Sequence, residues 1–289
     1  MALLLQRLVR SQHSHQQLVH LQGSSALSGL REFSAAAPEK AKNRGLGSSR
    51  AEGTAPRFYK YVGVVPSAGQ EDGWQVTLND RALKTPARQP LVVPTYPLAL
   101  AIAAEWEWQD NRIRPFTMPL MSLAATAIDQ PKPRQRVTDT MLQYLDTDAI
   151  CCREEPGKLA NHQAKIYNPV LAWANQQFDV KFNVSNSIFG APQQPETHQA
   201  VRHFLQGLDH WHLAAMESLA SSCRSVILAL AVMHGHLGVY DAITAARLEE
   251  TYQMDEWGLV EGGHDIDIAD MQVRIAGPTV FLCLLQASQ

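Results

Sequence analysis

The segment YLDTDAICCREE, residues 144–155, places two carboxylates and two thiols close together. Asp146 and Asp148 form a D-x-D pair, which can hold Mg²⁺ or Mn²⁺ when a bound diphosphate and further ligands complete the site. Carboxylates at i and i+2 diverge on a helix, and no GxGxxG or GxxxxGK[ST] loop occurs in the chain. The pattern favours Asp146 at a helix end and Asp148 in the exit turn, binding backbone N–H groups. A divalent-metal enzyme built on this pair is the alternative.

The adjacent thiols of Cys151 and Cys152 raise the question of a catalytic nucleophile. A reactive cysteine needs a setting that stabilises the thiolate and a base such as histidine. His162 is close in sequence, but nothing in the spacing brings it to either thiol. The chain has four cysteines and no CxxC pair, which fits a reducing compartment. We expect structural cysteines in a buried setting.

Histidines recur in HWH at 210–212 and in HGH at 234–236. Side chains at i and i+2 of a helix point apart, so neither pair chelates one ion well, and the HExxH spacing is absent. No GxSxG elbow is present either. We therefore predict no catalytic centre, no metal and no cofactor.

Carboxylates are concentrated near the C-terminus, where residues 241–270 contain nine of them and one base, Arg247. The pattern predicts a helix over 240–257 whose apolar stripe includes Tyr240, Ile243 and Leu248, with Glu249 and Glu256 on the opposite side. Neither glutamate has a basic partner at i±4 within this helix. The nine carboxylates are Asp241, Glu249, Glu250, Asp255, Glu256, Glu261, Asp265, Asp267 and Asp270.

This acidic helix has two interpretations. It is either an ordinary solvated face or a docking surface for a basic partner, whose encounter it would accelerate. Nucleic acid is disfavoured as a partner because phosphates would be repelled. On the docking interpretation, the candidate partner-binding residues are Glu249, Glu250, Asp255, Glu256 and Trp257.

The N-terminal segment has a different character from the rest of the chain. Residues 1–50 carry seven Lys/Arg and two Glu, a net of +5, whereas residues 51–289 carry 18 basic and 26 acidic side chains, a net of −8. The first thirty residues have no Asp or Glu, and apolar patches alternate with Arg, Ser and Gln. This is typical of an organellar transit peptide. We predict a mitochondrial transit peptide over 1–33, with a chloroplast address or a disordered cytosolic tail as alternatives, and a flexible linker over 34–56.

The remaining patterns predict strands first and helices after them, an α+β fold. Residues 57–94 form a small β-rich N-terminal part with a hairpin at Asn79-Asp80. From Thr95, a helix cap with Pro97 in the first turn, residues 95–289 form a mainly α-helical domain. Short strands are also predicted at AICC, 149–152, and over 180–188. We expect Trp74, Trp106 and Trp108 in the core. The longest apolar run, VILALAVM at 226–233, is far shorter than the roughly 20 residues of a spanning helix, so we expect no membrane insertion.

Six motifs in order carry a resemblance to a known family. Over about residues 57–285 the chain resembles the mitochondrial F1-ATPase assembly factor 2 family, the chaperones of the ATP synthase α subunit. The family commonly has tyrosine where this chain has Cys152, and the segment around Tyr167 lacks an expected tryptophan. The motifs are VTLNDRALKTP, LAIAAEWEWQ, MPLMSLAATAID, YLDTDAICCR, VILALAVMHG and RLEETYQMDEWG.

The resemblance implies a chaperone rather than an enzyme, active in the mitochondrial matrix as a monomer. It would bind the unassembled α subunit of the F1 ATP synthase and shield its subunit interface until the β subunit replaces it. An unfilled obligate interface is large and apolar and invites aggregation. A permanent structural subunit of the synthase is a further alternative.

Overall fold

The computed structural model describes residues 54–67, 73–258 and 263–287. The predicted transit peptide, residues 1–33, and all but the last three residues of the predicted linker lie outside them. The described residues form six short strands and ten α-helices, which confirms the α+β class. The strands are β1 Ala55–Pro56, β2 Val62–Pro66, β3 Trp74–Leu78, β4 Arg81–Ala82, β5 Val92–Val93 and β6 Arg112–Ile113. The helices are α1 Tyr96–Glu107, α2 Pro119–Asp129, α3 Arg134–Leu145, α4 Lys158–Phe178, α5 Pro195–Gly207, α6 His210–Cys223, α7 Val226–Met233, α8 Val239–Ala246, α9 Leu248–Trp257 and α10 His264–Gln286.

A four-stranded antiparallel sheet forms most of the N-terminal part. Strand β3 pairs with β2 along one edge and with β4 and β5 along the other. The predicted hairpin is confirmed, since Asn79 and Asp80 connect β3 to β4 with positive φ values of 49° and 62°, as a type I′ turn requires. Strand β1 pairs separately with β6, which follows α1.

Helix α1 covers the sheet and begins where the sequence predicts. Thr95 caps it by accepting a hydrogen bond from the backbone N–H of Leu98 at 3.3 Å, and a proline lies in the first turn. Leu98 and Ile102 are fully buried in the same core cluster as Val76 and Leu91 of the sheet region. The sheet therefore buries its apolar face through α1, which joins it to the helical part.

The apolar run VILALAVM is the centre of the helical part. It forms α7, and its residues from Val226 to Ala231 have no exposed surface. A helix that is apolar on all sides must be enclosed, and α3, α4, α6, α8 and α10 pack around it. This run is thus a core helix.

The C-terminal helix α10 closes the fold against α1, α2, α6, α7 and α8. Its residues 265–286 are long and apolar enough to meet the length and composition of a membrane span. Ile275, Phe281 and Leu282 are nevertheless buried against the other helices. Ile266, Val273 and Val280 are exposed, so one side of α10 packs on the fold and the other side is accessible.

The strands predicted at 149–152 and 180–188 are wrong. Turns occupy 146–147 and 149–151, and a single parallel bridge joins Cys152 to Ser185. In residues 180–188, backbone N–H groups that would pair with a neighbouring strand donate to side chains instead. The N–H of Phe182 donates to Oδ1 of Asn175, and the N–H of Asn183 donates to Oε1 of Gln193, both at 2.8 Å. Such local side-chain bonds compete with strand pairing.

The single helix predicted over 240–257 is also wrong, because it is broken into α8 and α9. At Arg247 the backbone leaves helical geometry, with φ −105° and ψ 10°. The Arg247 side chain is buried and its Nη1 lies 2.9 Å from Oε2 of Glu250. The bend changes the predicted apolar stripe: Leu248 is buried, but Tyr240 is 81% exposed.

The core assignment is wrong for Trp108, which is 86% exposed. Trp106 and Trp108 are two residues apart around the end of α1, so only one of them can face inward. Trp106 is the inward one, with its ring 5.6 Å from that of Tyr59. Trp74 packs its ring 4.7 Å from that of Tyr96.

Candidate functional site

Asp148 of the D-x-D pair is fully buried and caps a helix. Its Oδ1 accepts a hydrogen bond from the N–H of Ile150, and its Oδ2 accepts one from the N–H of Ile227 in the first turn of α7, both at 3.1 Å. Burial raises the pKa of Asp148 to about 6, while hydrogen bonds from Ser225 and the backbone amides oppose the increase. The carboxylate thus satisfies donors at a helix N-terminus that would otherwise be unpaired.

Asp146 binds a different part of the molecule. Its Oδ1 accepts a hydrogen bond from the N–H of Gln193 at 2.8 Å and lies 2.9 Å from Nε2 of His198. The two aspartates therefore act on separate elements. Among the described residues, no group of three or more His, Cys, Asp or Glu side chains is placed to hold a metal ion.

The thiols have no arrangement for nucleophilic catalysis. Cys151 is buried, and burial, reinforced by the nearby charge of Asp148, raises its pKa. Burial also raises the pKa of the half-buried Cys152, with Asp148 and Glu249 contributing. A raised pKa suppresses the thiolate that a nucleophile needs. His162 instead packs its ring 5.9 Å from that of Tyr252.

The histidines of the two pairs take part in hydrogen bonds and ring packing within the fold. His212 lies 2.8 Å from Oδ2 of Asp209, the cap of α6, through its Nδ1. His234 is close to the carbonyl of Leu230, and burial lowers its pKa. His236 stacks on Trp173 at 4.8 Å. These are packing and capping roles.

The five predicted partner-binding residues all lie on α9, and we call them the acidic surface: Glu249, Glu250, Asp255, Glu256 and Trp257. Glu249 accepts a hydrogen bond from Nε2 of the buried Gln163 at 2.8 Å. Glu250 is held by Arg224 at 3.2 Å and by Arg247 at 2.9 Å. These two glutamates attach α9 to its neighbours through contacts that the sequence analysis did not foresee.

The distal half of the acidic surface is open. Asp255, Glu256 and Trp257 are exposed, and Trp257 is 81% accessible. Glu256 has one exposed neighbour of opposite charge, Lys158, at 3.9 Å. Within the described part of the chain, Asp255 makes no ion pair. Two carboxylates next to an accessible indole form a surface suited to a partner that is both basic and apolar.

The tip of the loop before α5 is a second exposed feature, which the sequence patterns did not predict. Ile188 and Phe189 are 93% and 84% exposed, although the bridge to Cys152 and several hydrogen bonds hold the loop in place. The only sequence signal was an apolar pair followed by glycine between polar residues. Because a strand was predicted over 180–188, the exposure of Ile188 and Phe189 was not expected.

The described residues therefore present exposed charged and apolar surfaces on a helical scaffold, an arrangement suited to a protein that binds another protein. The comparisons with known proteins agree. The family described as ATP12 chaperone protein matches residues 56–175. The mitochondrial protein atp12 of Schizosaccharomyces pombe is 29% identical over 238 residues, covering 78% of this chain and 81% of the relative.

Solved structures extend the similarity over most of the chain. Atp12 from Paracoccus denitrificans has a TM-score of 0.72 and 32% identity, covering 80% of this chain and 99% of that one. A putative chaperone from Agrobacterium tumefaciens has a TM-score of 0.75 and 30% identity, covering 81% and 87%. The chain belongs to the ATP12 chaperone family. The predicted resemblance is confirmed, and the comparisons give no support to the metal-enzyme alternative.

Proposed function

We propose that this protein is an assembly chaperone of the mitochondrial F1 ATP synthase. It acts in the matrix, binds the unassembled α subunit and covers its subunit interface until the β subunit takes its place. Membership of the ATP12 chaperone family supports the chaperone role, and the relatives called mitochondrial support the organelle. The predicted transit peptide over 1–33 agrees with that address. No bond is made or broken in this function, so no catalytic group is needed.

The observation that carries the proposal is the acidic surface on α9. An α subunit that has not yet met its neighbours exposes apolar interface that would otherwise aggregate. Trp257 supplies a large apolar contact, and Asp255 and Glu256 supply charge that attracts basic side chains. Complementary charge increases the rate of encounter and excludes wrong partners. The β subunit can then displace the chaperone, because it binds the α subunit with greater affinity than the chaperone does.

The five residues have two different tasks in this proposal. Asp255, Glu256 and Trp257 contact the client directly. Glu249 and Glu250 hold α9 in position through Gln163, Arg224 and Arg247. A lysine in place of Glu250 would lie with Arg224 beside the buried Arg247, so three cations would be close together. A Glu250→Lys variant that failed to bind could therefore be misfolded, and the result would not identify Glu250 as a contact residue.

The proposal is tested by Asp255→Lys/Glu256→Lys. Both side chains are exposed, so the melting temperature should be nearly unchanged, whereas affinity for unassembled α subunit at low salt should fall by about tenfold, mostly through the association rate. The measurement is surface-immobilised binding kinetics at two salt concentrations.

The matched control is Asp110→Lys/Glu196→Lys, which changes the net charge equally at two exposed positions on other elements. This control should bind α subunit as the wild type does. If Asp255→Lys/Glu256→Lys binds with unchanged affinity and unchanged salt dependence, the acidic surface is not the docking site.

A further inference from the structure

Two large apolar side chains stand at the tip of the loop between α4 and α5. Ile188 is 93% exposed and Phe189 is 84% exposed. Val184 in the same loop and Tyr144 near the end of α3 are about half exposed. The tip and Tyr144 are connected through Thr147, whose N–H donates to the Tyr144 carbonyl at 3.2 Å and whose methyl group faces Gly190. We call these four residues the apolar tip.

The loop that carries the tip is held by its own hydrogen bonds. The N–H of Ser187 donates to Oγ of Ser185 at 3.0 Å, and the N–H of Phe189 donates to Oγ of Ser187 at 3.2 Å. At the base of the loop, the Gln193 amide accepts from the N–H of Asn183 at 2.8 Å and donates to the Asn183 carbonyl at 3.1 Å. A contact residue on a fixed backbone loses little conformational entropy when it binds.

Asp146 attaches this loop to the body of the protein. Its carbonyl accepts a hydrogen bond from the N–H of Ala191 at 2.8 Å, and its Oδ1 accepts one from the N–H of Gln193 at 2.8 Å. Gly190 has φ +90°, and a Cβ atom there would lie 2.6 Å from the Asp146 carbonyl oxygen. Only glycine permits this approach. Asp146 is thus a positioning residue for the apolar tip.

A short series of hydrogen bonds connects the loop to the acidic surface. The carbonyl of Ser185 accepts from the N–H of Arg153 at 2.8 Å. The next residue, Glu154, donates its N–H to Oε1 of Gln163 at 2.9 Å, and Nε2 of Gln163 donates to Glu249 at 2.8 Å. Residues 153–155 therefore form a common support for the loop and for α9.

We propose that the apolar tip is a second contact site for the client, inserting Ile188 and Phe189 into an apolar recess of the uncovered subunit interface. The inference rests on the proposed function and deepens it. The recess should have basic side chains beside it, because the acidic surface is attached to the same support as the tip. The tip supplies apolar contact area, and the acidic surface supplies orientation.

The test is Ile188→Ala/Phe189→Ala in the full chain, assayed for binding to purified α subunit and for suppression of its aggregation after dilution from urea. Both side chains are solvent-exposed, so the melting temperature should not fall. Affinity should decrease by at least about thirtyfold, the size of a hot-spot loss. Trp108→Ala/Phe116→Ala is the control, since it removes similarly exposed aromatic area from the α1–α2 connection.

The outcomes separate this inference from the proposed function. Loss of binding in Ile188→Ala/Phe189→Ala with normal binding in the control supports the tip. If Ile188→Ala/Phe189→Ala binds normally while Asp255→Lys/Glu256→Lys does not, the tip is refuted and the proposed function stands. An equal loss in the tip variant and the control indicates general apolar adhesion and also refutes the tip. If the wild-type protein does not bind α subunit, the proposed partner and the tip both fail.

Discussion

At the scale of single residues, the carboxylates that resemble a metal pair are structural. Asp148 serves the first turn of α7, and Asp146 serves the loop before α5. Glu105 acts in the same way, since its two oxygens accept hydrogen bonds from the N–H groups of Leu120 and Met121, both at 2.8 Å. Burial raises the pKa of Glu105 to about 7. Each carboxylate serves an element that is distant in sequence.

The buried carboxylate of Asp148 should give the protein a measurable pH dependence. The pKa of Asp148 is about 6 in the folded state, and we take the ordinary aspartate value of 3.8 for the unfolded state. At a pH between these two values, the folded state binds more protons than the unfolded state. The contribution of Asp148 to the free energy of unfolding therefore falls as pH rises from about 4 to 7, by about 2 kcal/mol. The asparagine of Asp148→Asn does not titrate.

Urea denaturation of both proteins at pH 4 and pH 7 checks this expectation. The free energy of unfolding of the wild type minus that of Asp148→Asn should decrease by about 2 kcal/mol over this range. Taking the difference removes the contribution of Glu105, which has the same sign. A difference that stays constant with pH would contradict the assignment of Asp148 as a buried, raised-pKa carboxylate.

At the scale of elements, the loop before α5 and helix α9 are fixed by contacts from other parts of the chain. The loop depends on the close approach of Gly190 to Asp146. Helix α9 depends on Gln163, Arg224 and Arg247. Both elements carry exposed apolar side chains. The position of each element in the fold depends on these contacts with other parts of the chain.

Gly190→Ala should destabilise the protein by about 2 kcal/mol. Alanine at φ +90° is strained, and its Cβ would meet the Asp146 carbonyl oxygen at 2.6 Å. Thermal and urea unfolding measure the loss. Gly207→Ala is the matched control, since a Cβ there meets nothing within 4 Å and alanine is the better helix former, so its stability should be unchanged or slightly higher. Equal stability of the two variants would show that the loop is free to move away from Asp146.

At the scale of the whole molecule, the first and last helices of the described residues meet. Oγ1 of Thr95, the cap of α1, donates to the carbonyl of Leu284 in α10 at 2.7 Å. Helix α10 also packs along α6, α2 and α8. The last helix thus closes the core that α1 begins, so the sheet region and the helical region stabilise each other.

Deleting residues 264–289 should abolish cooperative folding. The deletion removes the buried Ile275, Phe281 and Leu282, each worth about 2 kcal/mol of burial, and exposes the apolar faces they cover. That loss is comparable to the whole stability of a typical domain. Circular dichroism melting and dye binding to exposed apolar surface provide the measurement. Deleting only residues 287–289 is the control and should leave the melting temperature within a few degrees; a cooperative transition in the longer deletion would disprove the closing role of α10.

The sequence by itself determined the α+β class, the hairpin at Asn79-Asp80, the cap at Thr95 and the helices at 118–129 and 134–146. These features depend on interactions between residues a few positions apart, which local patterns record. The family was also readable, because six motifs occur in one order along the chain. The D-x-D aspartates do bind backbone N–H groups, as the sequence predicts, but only the bond from Ile150 to Asp148 is local. The bonds from Ile227 and Gln193 come from distant parts of the chain.

Only the tertiary structure decided which side chains are accessible. In the structure the predicted helix is broken at Arg247, and Trp108 faces solvent. Glu250 pairs with two arginines, and Ile188 and Phe189 are exposed. Each outcome depends on what packs from a distant part of the chain: Glu250 meets Arg224, and Asp146 meets Ala191 and Gln193. Exposure is a property of these long-range contacts, and periodicity along one segment cannot specify them.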